Sequence, residues 1–331
     1  MPRNRYYAGP PSDHFDGLRF FNPGQPSTDR SFGQLLRWQL GGGRARWPLA
    51  VEVRQVKPEL CVDGLAVTMI GHASVLIQVA GQNILVDPVW SERASPVSWA
   101  GPKRVARPGV ALHDLPPIDA VLVTHNHYDH MDMPTLRRLH AAHRPRIVTA
   151  LGNDAIIGAA VPGANTVALD WHDAHELRKG VGITAVPAHH WSARRGGDRR
   201  MALWCGFVIR TPEHLVYVVG DTGYGDGAIF RDIRTRYGAP DVAIIPIGAY
   251  EPRWFMRDQH VDPDEAVRIM LDCGAAQALG VHWGTFQLTN EGRDAPRHAL
   301  TSALLARGIK PARFLAMKPG DSWQSSEAKE N

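Results

Sequence analysis

The chain of 331 residues is poor in cysteine, carries little net charge and has no long apolar run, and each shortage narrows what it does. Its three cysteines, Cys61, Cys205 and Cys273, are odd in number and widely spaced. That speaks against a disulfide framework and for a reducing compartment, with the thiols serving as small buried apolar residues. The 37 basic and 33 acidic side chains leave a formal charge of +4, too mild to mark a nucleic-acid binder. No apolar stretch approaches the roughly twenty residues of a membrane span. The start, Met1-Pro2-Arg3-Asn4-Arg5-Tyr6-Tyr7, lacks the apolar core of a signal peptide. A cytoplasmic protein, or one resting on a membrane surface, is the expectation. Repeats and low-complexity segments are also missing, and the length allows one large α/β domain or two smaller ones.

What the chain does have is the stretch Thr124-His125-Asn126-His127-Tyr128-Asp129-His130. It follows Ile118 to Val123, an apolar run that reads as a short buried strand, so the stretch is a loop leaving a strand. Three imidazoles and a carboxylate this close together point to a metal site built from nitrogen and oxygen donors. Zinc is the default ion, with manganese or iron as alternatives. On a turn, His125 and His127 can close on one ion while Asp129 and His130 reach a second.

Along the chain, residues 1 to 60 carry Gly-Pro and Asn-Pro punctuation and little strand signal, and are expected to wrap a main domain. Within them, 31 to 40 reads as a helix with Phe32, Leu35, Leu36 and Leu40 on one face. Packing on the core is the ordinary fate of such a stripe; its basic and tryptophan flanks make a membrane interface the alternative. Strands are expected at Leu65 to Ile70, Ser74 to Val79, Asn83 to Val86, Arg146 to Thr149, Thr166 to Leu169, Gly182 to Val186, Ala202 to Arg210, His214 to Val219, Asp241 to Pro246 and Ala278 to His282. Helices are expected at Met133 to His143, Gly227 to Tyr237, Pro263 to Cys273 and Pro296 to Arg307. Asp262, Pro263 and Glu265 give the third of these an N-cap, a proline at N1 and a capping box. Runs of strands followed by helices in each half predict two sheets packed face to face with helices outside. The domain is placed at 61–323 and a disordered tail at 324–331.

Two ions need more donors than one loop supplies, and three further strand ends offer them: Pro187-Ala188-His189-His190-Trp191, Gly220-Asp221-Thr222-Gly223 and His282-Trp283-Gly284. Residue chemistry alone leaves His189 and His190 as alternatives. Asp87, at the end of a strand, is expected to bond the metal loop's backbone or a ligand imidazole. Lys103, Arg104 and Arg253 are candidate phosphate contacts, and Trp90, Trp99, Trp191, Tyr250, Trp254 and Phe255 candidate lining for acyl chains.

The His125-x-His127-x-Asp129-His130 pattern resembles the metallo-β-lactamase superfamily. Gly71-His72-Ala73-Ser74, the Ser91 to Arg104 loop, Gly220 to Tyr224, Pro246 to Met256, Gln259 to Pro263 and His282 to Phe286 together resemble the N-acyl-phosphatidylethanolamine-hydrolysing phospholipase D family over about residues 65 to 290. The resemblance implies an αββα sandwich with a metal site at one edge. It also implies one ion held by His125, His127 and His190, the other by Asp129, His130 and His282, and Asp221 bridging them. The implied reaction is attack of hydroxide, generated by two zinc ions, on the phosphorus of an N-acyl-phosphatidylethanolamine-like phospholipid. Asp129 would orient the nucleophile and His260 bond or protonate a phosphate or leaving oxygen. A lactonase or other carbonyl hydrolase, a nuclease and a non-catalytic zinc-binding protein are the competing readings. Partners admitted are a small-molecule or phospholipid substrate, a membrane surface and a second copy of the chain, but not nucleic acid. The family pattern is left mainly in the first 60 residues and at Ser192 to Arg200.

Overall fold

A computed structural model of the chain describes residues 3–325. Two seven-stranded mixed sheets pack face to face. The first holds β1 (Leu65–Gly71), β2 (Ser74–Val79), β3 (Gln82–Val86), β4 (Ala120–Val123), β5 (Arg146–Ala150) and β6 (Asn165–Leu169) in sequence order, with β14 (Ser322–Gln324) beside β1. The second runs β13 (Phe314–Ala316), β12 (Gln277–Val281), β11 (Val242–Pro246), β10 (Leu215–Val218), β9 (Gly206–Arg210), β8 (Val181–Val186) and β7 (Ala174–Arg178).

Both faces of these sheets are covered, which is why the central strands read as unbroken apolar runs. Ala120 and Leu122 of β4 point into the layer between the sheets, where they meet residues of the other sheet such as Phe207 and Val218. Val121 and Val123, one step out of phase, join Leu136 and Leu139 of α2 (Met133–His143) and Ile157 of α3 (Asn153–Ala160) on the outer face. The second sheet does the same: Tyr217 of β10 packs outward with Phe230 of α4 (Ala228–Tyr237) and Val267 of α6 (Pro263–Cys273), while α7 (Ala295–Ala306) adds Leu304. Each aliphatic side chain so buried contributes roughly 1.5–3 kcal/mol. The result is the expected αββα sandwich. At α6 the Asp262 carboxylate accepts from Glu265 N at 2.9 Å and the Glu265 carboxylate accepts from Asp262 N at 3.1 Å, the reciprocal cap read from the sequence.

The edges were harder to foresee. The strand expected from Ala202 begins at Gly206. β7 is a polar edge, Ala-His-Glu-Leu-Arg, with alternately exposed residues and little β-propensity. α3 begins at a glycine without a side-chain cap, and the three-residue β13 and β14 are too short for a pattern. Gln324 closes β14, and the tail from residue 326 lies outside the described residues. Cys205 and Cys273 are buried as expected, but Cys61 is exposed.

The N-terminal segment sends Phe15 and Phe20 into the layer between the sheets. Its helix α1 (Phe32–Leu40) has a Ser31/Gln34 capping box, yet none of its residues is buried. Phe32 is 78% and Leu40 76% exposed, so the apolar stripe does not pack on the core. The helix is held by Trp38, whose ring lies 4.9 Å from that of Phe255 in α5 (Arg253–Met256) and whose indole donates to Asn290 Oδ1. Among the described residues no helix is long and apolar enough to cross a membrane.

Candidate metal centre

Each donor of the site stands just beyond a strand end: the histidine loop after β4, His190 after β8, Asp221 after β10 and His282 after β12. His125 Nε2 lies 2.9 Å and His190 Nε2 3.3 Å from His127 Nδ1. Beside this trio, His282 Nε2 lies 3.1 Å from His130 Nε2 and 3.3 Å from Asp129 Oδ2. Asp221 Oδ2 sits between the two groups, 3.1 Å from His282 Nε2, 3.3 Å from His130 Nε2 and 3.9 Å from His190 Nε2. His189 does not join. It is turned away behind β8, where Thr222 Oγ1 accepts its backbone N–H and its ring lies against Gly225.

The arrangement is anchored from behind. Asp87 Oδ1 accepts from Thr124 N at 2.8 Å, and Oδ2 accepts from Thr124 Oγ1 at 2.7 Å and from His130 Nδ1 at 2.7 Å. One carboxylate therefore holds both the start of the loop and the His130 ring. The Gln259 carbonyl accepts from His190 Nδ1 at 2.9 Å. The backbone is strained at the same places: Asp87, His72 and His282 have φ of 41°, 59° and 64°. Left-handed backbone at a non-glycine residue costs about 1–3 kcal/mol and persists where the surroundings over-determine it, commonly at functional sites.

Electrostatics split the donors into two kinds. Burial pushes His125 well below its ordinary value and takes His127 and His190 down to about 3, leaving three neutral rings. Burial also opposes charge on His130 and His282, but Asp221 and Asp129 outweigh it, holding His130 well above the usual range and raising His282 to about 9. Burial would raise Asp129 and Asp221; His130 and His282 keep both carboxylates well below their usual range. Buried carboxylates surrounded by imidazole nitrogens call for positive charge between them. These seven donors, with His72 and His260 close enough to be grouped with them, are of the kinds that fit divalent cations, zinc first among them.

A cavity of about 440 Å³ opens onto the centre, with His127, Asp129, Asp221 and His260 at its floor and Leu35, Trp38, Trp191 and Phe255 among its walls. His260 Nδ1 lies 3.7 Å from Asp221 Oδ2. That nitrogen has no hydrogen-bond partner, and burial takes the ring down to about 3. Of the other candidates for substrate contact, Trp191 and Phe255 are among these walls and the rest are placed elsewhere. Arg104 is buried under Phe286 and donates to the carbonyls of Val89, Ser91 and Ala106, which ties down the long loop. Arg253 donates to the His260 carbonyl and pairs with Glu265 at 2.6 Å. Lys103 is exposed, Tyr250 is buried, and Trp254 lies under the Arg37 guanidinium; none of the five lines the cavity.

Two guanidiniums do line it: Arg199, from the Ser192 to Arg200 segment where the family pattern is left, and Arg30, which the sequence does not single out. Arg30 donates to the Phe255 carbonyl and pairs with Asp258 at 2.7 Å. Arg199 stacks on Trp191 at 3.5 Å and pairs with Asp29 at 2.6 Å. Arginine is too common here to single these out by type. His72 was quoted only within a motif, yet its Nε2 lies 2.9 Å from Asp129 Oδ2; its position at the end of β1, on the same edge as the other donors, was the available signal.

A beta-lactamase superfamily domain model matches residues 82–283. The chain is 38% identical over 276 residues to the N-acyl-phosphatidylethanolamine-hydrolyzing phospholipase D 1 of Caenorhabditis elegans, covering 80% of this chain and 77% of that one. It is 32% identical over 229 residues to a mitochondrial N-acyl-phosphatidylethanolamine-hydrolyzing phospholipase D of Saccharomyces cerevisiae, covering 68% of this chain and 48% of that one. In fold it is similar to a metallo hydrolase from the archaeon Ignicoccus hospitalis, with a TM-score of 0.58 and 21% identity over 80% of this chain and 99% of that one. The chain is a metal-dependent hydrolase of the metallo-β-lactamase superfamily and belongs, within it, to the N-acyl-phosphatidylethanolamine-hydrolysing phospholipase D family.

Proposed function

We propose that this hydrolase cleaves the phosphodiester of an N-acyl-phosphatidylethanolamine-like phospholipid with two zinc ions. The observation that carries the reading is the convergence of seven metal-type donors, three of which, His127, Asp129 and Asp221, open onto a cavity walled by Leu35, Trp38, Trp191 and Phe255. His125, His127 and His190 would hold one ion, Asp129, His130 and His282 the other, with Asp221 shared. When bound, such a pair supplies Lewis acidity and brings the pKa of water to about 7.

The chain's own residues do the rest. Asp129 lies at the cavity floor and can accept a hydrogen bond from the attacking water while it holds its metal position. His260, neutral and with a free buried Nδ1, faces the same space and can donate a hydrogen bond from its one N–H to a phosphate oxygen or to the departing alkoxide. Arg253 positions it through the carbonyl contact. Arg30 and Arg199 stand at the walls, their charges partly answered by Asp258 and Asp29. The apolar walls exclude water and suit acyl chains.

The outer face of α1 suits a lipid surface. Leu35 and Trp38 line the cavity while Phe32, Leu36 and Leu40 face solvent beside them, with Arg37, Arg44 and Arg46 nearby in sequence. An exposed apolar stripe with basic flanks is the composition of an interfacial helix. We take the protein to work at the surface of a membrane from the cytoplasmic side.

The test compares hydrolysis of an N-acyl-phosphatidylethanolamine, a soluble aryl phosphodiester and a small lactone, before and after metal stripping. Metal-dependent turnover of both phosphodiesters is expected. Lactone opening without phosphodiester cleavage would replace the reading with a carbonyl hydrolase.

A further inference from the structure

We infer that His72 is a positioning residue that aims the Asp129 carboxylate at its metal position. The inference rests on the two-ion reading above and assigns a role to a side chain outside the seven donors.

His72 is fully buried at the end of β1, and its Nε2 lies 2.9 Å from Asp129 Oδ2, the same oxygen that faces His130 and His282 at 3.5 and 3.3 Å. Its Nδ1 is buried without a partner. A neutral imidazole carries one proton. Placed on Nε2, that proton gives Asp129 a donor, and the bare Nδ1 meets no hydrogen-bond donor that it would compete for. Placed on Nδ1, it would leave two lone pairs facing each other across 2.9 Å. We therefore take His72 as the Nε2–H tautomer, a form that cannot at the same time ligate an ion through that nitrogen, although the nitrogen is close enough to Asp129, His130 and His282 to be grouped with them.

The backbone makes His72 a joint between sheets. Its N–H donates to Thr285 Oγ1 at 3.0 Å, and its carbonyl accepts from His282 N at 2.7 Å. The ring lies 4.1 Å from that of His282. One residue of the first sheet thus holds the backbone of a donor from the second and the carboxylate of a donor from the loop. Hydrogen bonds from outside to ligating groups typically change metal affinity by about 10–100-fold.

The experiment is a calorimetric zinc titration of the metal-stripped full-length chain and of two variants, H72Q, whose amide nitrogen can replace the Nε2 donor, and H72M, which fills the space without a donor. The wild type is expected to bind two ions. H72M should weaken one binding event about 10–100-fold and leave the other within about threefold, while H72Q stays within about threefold of wild type on both. Equal weakening of both events in H72M, or a loss in H72Q as large as in H72M, would overturn the role. A wild type that binds fewer than two ions would bring down the two-ion reading itself, and His72 with it. Should H72M not fold, nitrogen NMR of isotope-labelled histidine in the zinc-loaded wild type decides, with the signal assigned by its disappearance in H72Q. A neutral ring protonated at Nε2 supports the inference; a ring with bare Nε2 makes His72 a ligand and contradicts it.

Discussion

The floor and the rim of the cavity are built in opposite ways. At the floor, Asp87, Asp221, His125, His130, His190 and His282 are at most 4% exposed, with His127 and His260 partly open to the cavity, and their polar atoms interlock over strained backbone at the strand ends. At the rim, the contacts are ion pairs whose partners are partly open to solvent, Asp29 with Arg199 and Arg200 and Arg30 with Asp258. Surface pairs of this kind contribute about 0–1 kcal/mol each, whereas removing a partner inside the floor leaves a buried charge or donor unanswered at several times that cost. The difference teaches where to look for rigidity and where for specificity: the floor fixes a geometry, and the rim is free to change with the substrate.

Substitutions can break that contrast, and the largest effect is expected at the floor. His190→Ala should lower phosphodiester turnover by about a thousandfold or more, since it removes a donor from one metal position, while His189→Ala should cost less than about tenfold. Equal losses measured as kcat/KM would show that the floor does not end where the structure draws it. Next comes Asp87→Asn, which keeps the shape but weakens the acceptor of both Thr124 and His130; metal affinity should fall about 10–100-fold with the fold intact by circular dichroism.

At the rim the effects should be smaller and confined to lipid. Replacing Phe32, Leu36 and Leu40 together by serine should raise KM for vesicle-borne substrate by about tenfold, the value of losing part of an interfacial apolar face, and leave a soluble aryl phosphodiester unaffected. A loss on both substrates would return α1 to the structural framework.

The smallest effect concerns how the N-terminal segment is fastened. Burial lowers the His14 pKa, but hydrogen bonds to Asp170 at 2.7 Å and Asp13 at 2.6 Å outweigh it, and the net shift is upward. A raised folded value means that the stabilisation is complete below the unfolded pKa of about 6.5 and is lost as pH rises through the folded value. Between pH 6 and 9 the wild type should therefore lose about 1 kcal/mol or less relative to His14→Gln, read as the difference in thermal midpoint. A pH-independent difference would remove His14 from the fastening.

Much of the floor was legible because its chemistry is rare and local. His125, His127, Asp129 and His130 fall within one turn, and the remaining donors each close a readable apolar strand, so the layers and the cluster follow from patterns of period two and from residue type. Choosing His190 over His189 needed the family resemblance, since both leave one strand end. The rim was opaque for the opposite reason. Arg104 and Arg253 looked like phosphate contacts, but Arg104 spends its donors on backbone carbonyls and Arg253 on a carbonyl and neighbouring acids, while Arg30 and Arg199 reach the cavity through tertiary placement. His72 was hidden in the same way, its partner Asp129 lying 57 residues away. α1 announced its amphipathicity in the sequence but not which environment would take up its apolar face.

The most direct test of the central claim is a crystal structure of the zinc-loaded protein with anomalous scattering measured at the zinc edge. The account predicts two peaks about 3.5–4 Å apart, one among His125, His127 and His190 and one among Asp129, His130 and His282, with Asp221 touching both. A single peak, or two peaks of which neither touches Asp221, would contradict it.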